Sequence, residues 1–215
     1  MKLYAHPFSS YCQKALMALY ENDTPFACVL LEDAASLADL AALWPLKRFP
    51  VLVDGDRTVV EATSIIEHLE VHHPGPVRLI PDDAAAAVEV RMMDRIFDNY
   101  VSTPQQKIIF NAIRTEADRD PYGTAEMHGI LDTAYAWLDG YLAGRKWAVG
   151  TDFSLADCAA APALFYADWT HEIPDALTHL KAYRARLLSR PSFARCVNEA
   201  RPYRSYFPLG APDRD

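Results

Sequence analysis

Strand-like runs are confined to the first third of the chain, and this asymmetry restricts the fold more than any other feature. Lys2 to Ala5, Phe26 to Leu31, Pro50 to Val53 and Thr58 to Val60 are short apolar runs of β type. Cys12, Ala15, Leu16 and Leu19 recur at i, i+3, i+4, i+7 between the first two, and Ser36 to Leu43 reads as a short helix stopped before Pro45. Asp54-Gly55-Asp56 separates the last two runs with an Asp-Gly hairpin signal, after which Ala62, Ile65, Ile66 and Leu69 return to helical spacing. The order βαβαββα predicts a small mixed sheet with helices on its faces, over residues 1–75.

His73-Pro74-Gly75-Pro76 and Pro81-Asp82-Asp83 then punctuate the chain, which predicts a linker over 76–85. Beyond it strand signals vanish. Met93, Ile96, Phe97 and Tyr100 mark one amphipathic helix, and Ile130, Ala134, Trp137, Leu138 and Tyr141 mark another, so 86–215 is expected to be all-helical. With 215 residues, 51% hydrophobic and 23% charged, the chain is long enough for two modest domains and far from the regime of disorder.

A formal charge of -8 opposes general affinity for nucleic acid or anionic lipid, which need clustered cations. The start, Met1 to Pro7, has no apolar core of a leader, and no stretch approaches a membrane span, so export and membrane insertion are not expected. The four cysteines, Cys12, Cys28, Cys158 and Cys196, lie far apart and suit a reducing cytoplasm. Neither His72-His73 nor His171-Glu172 has the spacing of a metal motif, and no metal is expected.

Three short segments carry candidate chemistry. In Phe8-Ser9-Ser10-Tyr11-Cys12-Gln13-Lys14, Ser9 or Ser10 stands where a helix N-cap belongs, and the unpaired amides of that helix start would stabilise an anion such as a thiolate. The plain alternative is a capping serine and nothing more. In Arg48-Phe49-Pro50, a proline enters a strand; if the bond is cis, the Phe49 backbone faces a peptide-like ligand, and if trans, it merely starts the strand. Glu61 immediately precedes a helix whose first amides suit a carboxylate while Glu61 suits an ammonium group; it equally complements the helix dipole. Cys12 shares the apolar stripe of Ala15, Leu16 and Leu19, where a thiol is inert.

In order and spacing these segments, with a helical half behind them, resemble the glutathione transferase family across nearly the whole chain. The resemblance implies an α/β thioredoxin-like domain that binds glutathione as co-substrate, then an all-α domain that completes the pocket for an electrophile, in a homodimer. It places the thiol-activating hydroxyl at Ser9, with Ser10 as the alternative, and discounts Tyr4, which lies inside the strand. Tyr11, Arg48, Phe49, Pro50, Glu61, Ala62 and Thr63 would hold glutathione; Phe8, Tyr100, Thr103, Pro104 and Lys107 would line the second pocket, with Pro104 kinking its helix. Phe153-Ser154-Leu155-Ala156-Asp157 resembles the family's buried capping motif. One departure stands out: the family's serine after the acidic residue is Ala62 here, the loss of one hydrogen bond worth about 1 kcal/mol unless Thr63 or Ser64 substitutes. The implied activity is conjugation of glutathione to a small hydrophobic electrophile; isomerase or dehalogenase chemistry, or a non-catalytic ligand-binding role, fits the same scaffold.

Overall fold

The computed structural model describes all residues from Met1 to Asp215. Strand β1 (Lys2–Ala5) leads into helix α1 (Ser10–Glu21), then β2 (Ala27–Leu30), α2 (Ala34–Leu43), β3 (Val51–Asp54), β4 (Arg57–Val60) and α3 (Ala62–His72). The sheet order is β2-β1-β3-β4, with β1 parallel to β2 and antiparallel to β3, and β3 antiparallel to β4. Asp54 pairs with Arg57 across a two-residue turn whose first residue, Gly55, has φ +61, a conformation that glycine alone adopts freely. Helix α2 starts two residues earlier than its apolar spacing suggests, because Asp33 caps it by accepting from Ser36 N at 2.7 Å.

Nine helical elements follow: α4 (Ala84–Phe97), a π turn (Asp98–Ser102), α5 (Thr103–Ala112), a 3₁₀ turn (Glu116–Asp118), α6 (Pro121–Leu142), α7 (Leu155–Thr170), α8 (Thr178–Leu188), α9 (Pro191–Ala200) and a closing 3₁₀ segment (Arg201–Tyr206). Helix α7 runs through the centre, buried from Leu155 to Trp169. Its start is fixed by Asp157, which accepts from Ser154 N at 2.9 Å, Ala148 N at 2.9 Å and the Tyr183 hydroxyl at 2.6 Å. A fully buried carboxylate needs that many donors to replace its water.

The halves are not tethered loosely. One apolar core of 47 residues runs from Leu3 and Leu52 through Cys12 to Leu19 and on into α4, α6 and α7. The connector is clasped by Asn22, whose side chain donates to Val77 O at 3.0 Å and accepts from Val77 N at 2.8 Å. A Cβ on Gly75 would come within 2.3 Å of that asparagine, so only glycine fits there. Leu79 N donates to Glu70 at 2.6 Å, and Leu79 O accepts from Leu155 N at 2.8 Å.

The helical stripes differ from those expected by about one residue. On α6 the buried face is Met127, Leu131, Tyr135, Leu138 and Leu142, leaving Trp137 47% exposed. On α4, Met93 and Phe97 are buried, whereas Tyr100, on the π turn that follows, is 56% exposed. Both helices are apolar on two sides, so periodicity alone marks a stripe without saying which side meets the core.

Candidate functional site

The turn from β1 into α1 lines a cavity of about 600 Å³. Ser9 is the N-cap of α1, in extended conformation, and its Oγ accepts from Cys12 N at 3.3 Å. A hydroxyl that accepts in this way keeps its proton for donation. Gln13 N bonds back to Ser9 O at 2.9 Å, whereas the amides of Ser10 and Tyr11 have no protein partner. Ser9, Ser10 and Tyr11 all line the cavity, so one hydroxyl and a helix start converge on it. Cys12 is turned into the core, where burial pushes its thiol up to about 12, and it has no nucleophilic role.

The turn is held from beneath by Gln13, fully buried on α1, whose amide donates to Pro7 O at 2.8 Å and to the Tyr166 hydroxyl at 3.0 Å. His6 supports it from the side: Nδ1 accepts from Phe8 N at 3.2 Å, and its ring packs edge-on against Tyr203. Burial lowers the His6 pKa, partly opposed by Glu32. Phe8 meets Tyr166 edge-on at 5.4 Å between ring centroids and lies 6.5 Å from Tyr206, giving the cavity an aromatic wall that Phe207 extends.

The second and third segments reach the same cavity. The Phe49-Pro50 peptide is cis, and Phe49 makes no backbone hydrogen bond to the protein. Arg48 stands exposed beside it on the cavity lining. Glu61 is the N-cap of α3 at φ 68, a left-handed conformation that costs a non-glycine residue on the order of 1–3 kcal/mol. Its side chain makes no cap bond, leaving the Ala62 and Thr63 amides unpaired at the helix start.

Thr63 departs from expectation. Its hydroxyl is absorbed by an ion cluster, donating toward Asp94 at 3.0 Å and accepting from Lys14 Nζ at 2.9 Å, and it is absent from the cavity lining. Ser64 is exposed. Lys14, 1% exposed, lies 2.5 Å from Asp94 and 2.8 Å from Asp98, and Arg95 bonds both carboxylates at 2.5 and 3.1 Å. Two cations and two anions balance, and the cluster ties α1 and α3 to α4 under the cavity floor, where Arg95 and Asp98 surface. Burial raises the Asp98 pKa, an effect opposed mainly by Lys14. Tyr11 is similarly pushed up to about 12, by burial first and then by Asp98, so its phenol remains a donor.

The expected second-pocket residues on α4 and α5 are corrected in the same way. Tyr100, Thr103, Pro104 and Lys107 do not line the cavity; Arg95, Asp98, Asn99, Gln105, Gln106, Ile109 and Phe110 do. The π turn, which ends just before Pro104, adds a residue to one helical turn and rotates the faces beyond it. Tyr100 instead faces a shallow apolar groove with Ile96, Ile130, Ala134 and Trp137. Gln13, Lys14 and the carboxy-terminal Tyr206 and Phe207 are the residues sequence reasoning missed. Two polar residues inside the unbroken buried run Cys12 to Leu19 were the available signal, since such groups must find partners.

Residues 3–77 match the family described as glutathione S-transferase, N-terminal domain, and residues 109–191 match glutathione S-transferase, C-terminal domain. A solved glutathione S-transferase from Methylobacterium radiotolerans, in complex with glutathione sulfonate, superposes with a TM-score of 0.79 at 29% identity, covering 91% of this chain and 93% of that one. Among characterised relatives, a stringent starvation protein A homolog of Coxiella burnetii is 26% identical, over 93% of this chain and 92% of its own. FtsZ-localized protein A of Caulobacter vibrioides is 27% identical, over 89% and 88%.

Proposed function

The chain belongs to the glutathione S-transferase family, and on that premise we propose that it binds glutathione as its thiolate and presents the sulfur to a small hydrophobic electrophile. The observation that carries this reading is the Ser9 hydroxyl at the N-cap of α1, beside the unpaired Ser10 and Tyr11 amides on the wall of a cavity that also has an aromatic side. A thiol of pKa about 8.5 needs roughly 2.7 kcal/mol to fall two units. A charge-assisted hydrogen bond contributes about 1.5–3 kcal/mol and a helix start about 0.3–1 more, so no general base is required.

In this reading residues 1–75 hold glutathione, 76–85 connect, and 86–215 complete the electrophile pocket. The γ-glutamyl carboxylate takes the Ala62 and Thr63 amides, its ammonium group takes Glu61, the cysteinyl main chain pairs with Phe49, and Arg48 faces the glycyl carboxylate. Phe8, Tyr166, Tyr206 and Phe207 receive the apolar co-substrate. The protein acts in the cytoplasm, where its four free cysteines suit the reducing conditions. No helix is long and apolar enough to cross a membrane.

Ultraviolet difference titration of bound glutathione tests the assignment. The native protein is expected to show a thiolate about two units below the free value; Ser9→Ala abolishes it and Ser10→Ala leaves it. The reverse pattern moves the role to Ser10. A second reading, a glutathione transferase fold kept for binding without turnover, is favoured by Ala62 and by the diversion of the Thr63 hydroxyl to Asp94, which leave neither position a side-chain hydroxyl for the γ-glutamyl carboxylate. Calorimetric titration with glutathione that gives no heat supports that reading over catalysis.

A further inference from the structure

The hairpin end of the sheet and the far end of α3 bring together three side chains that take no part in the cavity. Asp54 closes β3, His68 lies on α3 and His73 is the C-cap of α3. Both imidazoles aim Nε2 at the same carboxylate oxygen, His68 at 2.9 Å and His73 at 2.6 Å from Asp54 Oδ2, and the ligating atoms all lie within 4.8 Å of one another. His68 is 8% exposed, while His73 at 34% and Asp54 at 21% keep one side open to solvent.

We propose that Asp54, His68 and His73 form a binding site for a divalent transition ion of the zinc type, with water completing the tetrahedron. Two nitrogens and a carboxylate oxygen are a donor set zinc accepts. Donors about 2.0–2.1 Å from a tetrahedral ion stand roughly 3.3 Å apart, so the nitrogen–oxygen separations of 2.9 and 2.6 Å would open by about 0.4 and 0.7 Å. His72 is excluded although it neighbours both, because its Nε2 lies 2.8 Å from Arg57 Nη1, a donor. Linear spacing conceals the site, since the pair used on α3 is five residues apart and the third ligand comes from a different element.

The site is separate from the cavity. Ala62 opens α3 at the cavity wall and His73 follows its last turn, so about 16 Å of helix lies between them. A bound ion therefore acts on structure, fastening the β3–β4 hairpin to the end of α3.

Cobalt(II) and zinc(II) titrations of the full-length, untagged protein test the proposal. Cobalt is expected to bind one per chain with the visible absorption of a tetrahedral site, zinc to displace it, and zinc at hundredfold excess over its Kd to raise Tm by ~5–10 °C. Asp54→Asn and His73→Ala each lose the absorption and the Tm shift while glutathione binding is unchanged; His171→Asn, in the other histidine cluster, loses neither. Absence of a saturable one-to-one cobalt spectrum in the native protein overturns the site, as does a spectrum that survives Asp54→Asn and His73→Ala or disappears in His171→Asn. Should His73→Ala fail to fold, Asp54→Asn and the native spectrum decide.

Discussion

At the scale of single residues, the site is governed by which proton-bearing groups stay neutral. Burial pushes the Cys12 thiol and the Tyr11 phenol up to about 12, so neither ionises near neutrality, and the task of meeting a sulfur anion falls to Ser9. His6 moves the other way: burial lowers its pKa from 6.5, and Nδ1 already accepts from Phe8 N. The unfolded chain therefore binds a proton at His6 that the folded chain resists, and stability falls as pH drops through about 6.5 toward the folded value. Urea unfolding at pH 7.5 and 5.5 is expected to show a smaller acid loss in His6→Gln than in the native protein. An equal loss would assign the effect to other groups. The identity of Ser9, Phe49, Pro50 and Glu61 as cavity residues was legible because each sits at a turn, where local chemistry dictates position. Thr63 was misread because its partner, Asp94, lies 31 residues away, and no local rule reports such a pairing.

At the scale of elements, α1 is unusual in being buried all along Cys12 to Leu19 with a lysine inside. Lys14 is tolerated only because Asp94, Asp98 and Thr63 replace its water. Lys14→Met leaves two buried carboxylates short of a cation and is expected to cost about 3–5 kcal/mol in urea unfolding, with partial recovery in Lys14→Met/Asp94→Asn. No recovery in the double variant would show that the loss is one of packing. The strands, the hairpin turn and the α7 capping motif follow from period, turn chemistry and spacing in the sequence. Facing was not recoverable for α4, α5 and α6, because each carries more apolar surface than one stripe and the π turn re-phases the helix at a point that composition does not mark.

At the scale of the molecule, that surplus surface has a use. Ile96, Tyr100, Ile130, Ala134 and Trp137 line an open groove between α4 and α6, and contiguous apolar surface of this kind on a protein is a place for another protein. We propose that a second copy of this chain covers it, in the homodimer the family resemblance implies. Sedimentation at micromolar concentration is expected to give a dimer for the native chain and a monomer for Trp137→Glu; a native monomer would remove the assignment. A cleft whose two sides come from distant stretches of chain was foreseeable in outline, since a small sheet and a helical half must meet somewhere. That the carboxy-terminal Tyr206 and Phe207 return to wall the cleft was not, because α9, which carries them there by packing on α1 through Cys196 and Glu199, lies about 180 residues away in sequence and no local rule reports that contact.

The Asn22 clasp has a consequence for traffic. With the connector welded to both halves, and one core shared between them, the cleft has no jaw that can swing wide. Its rim is set partly by the tail of the chain, where Tyr206 and Pro208 stand exposed on the lining and Tyr206 stacks on His6 with ring centroids 6.1 Å apart.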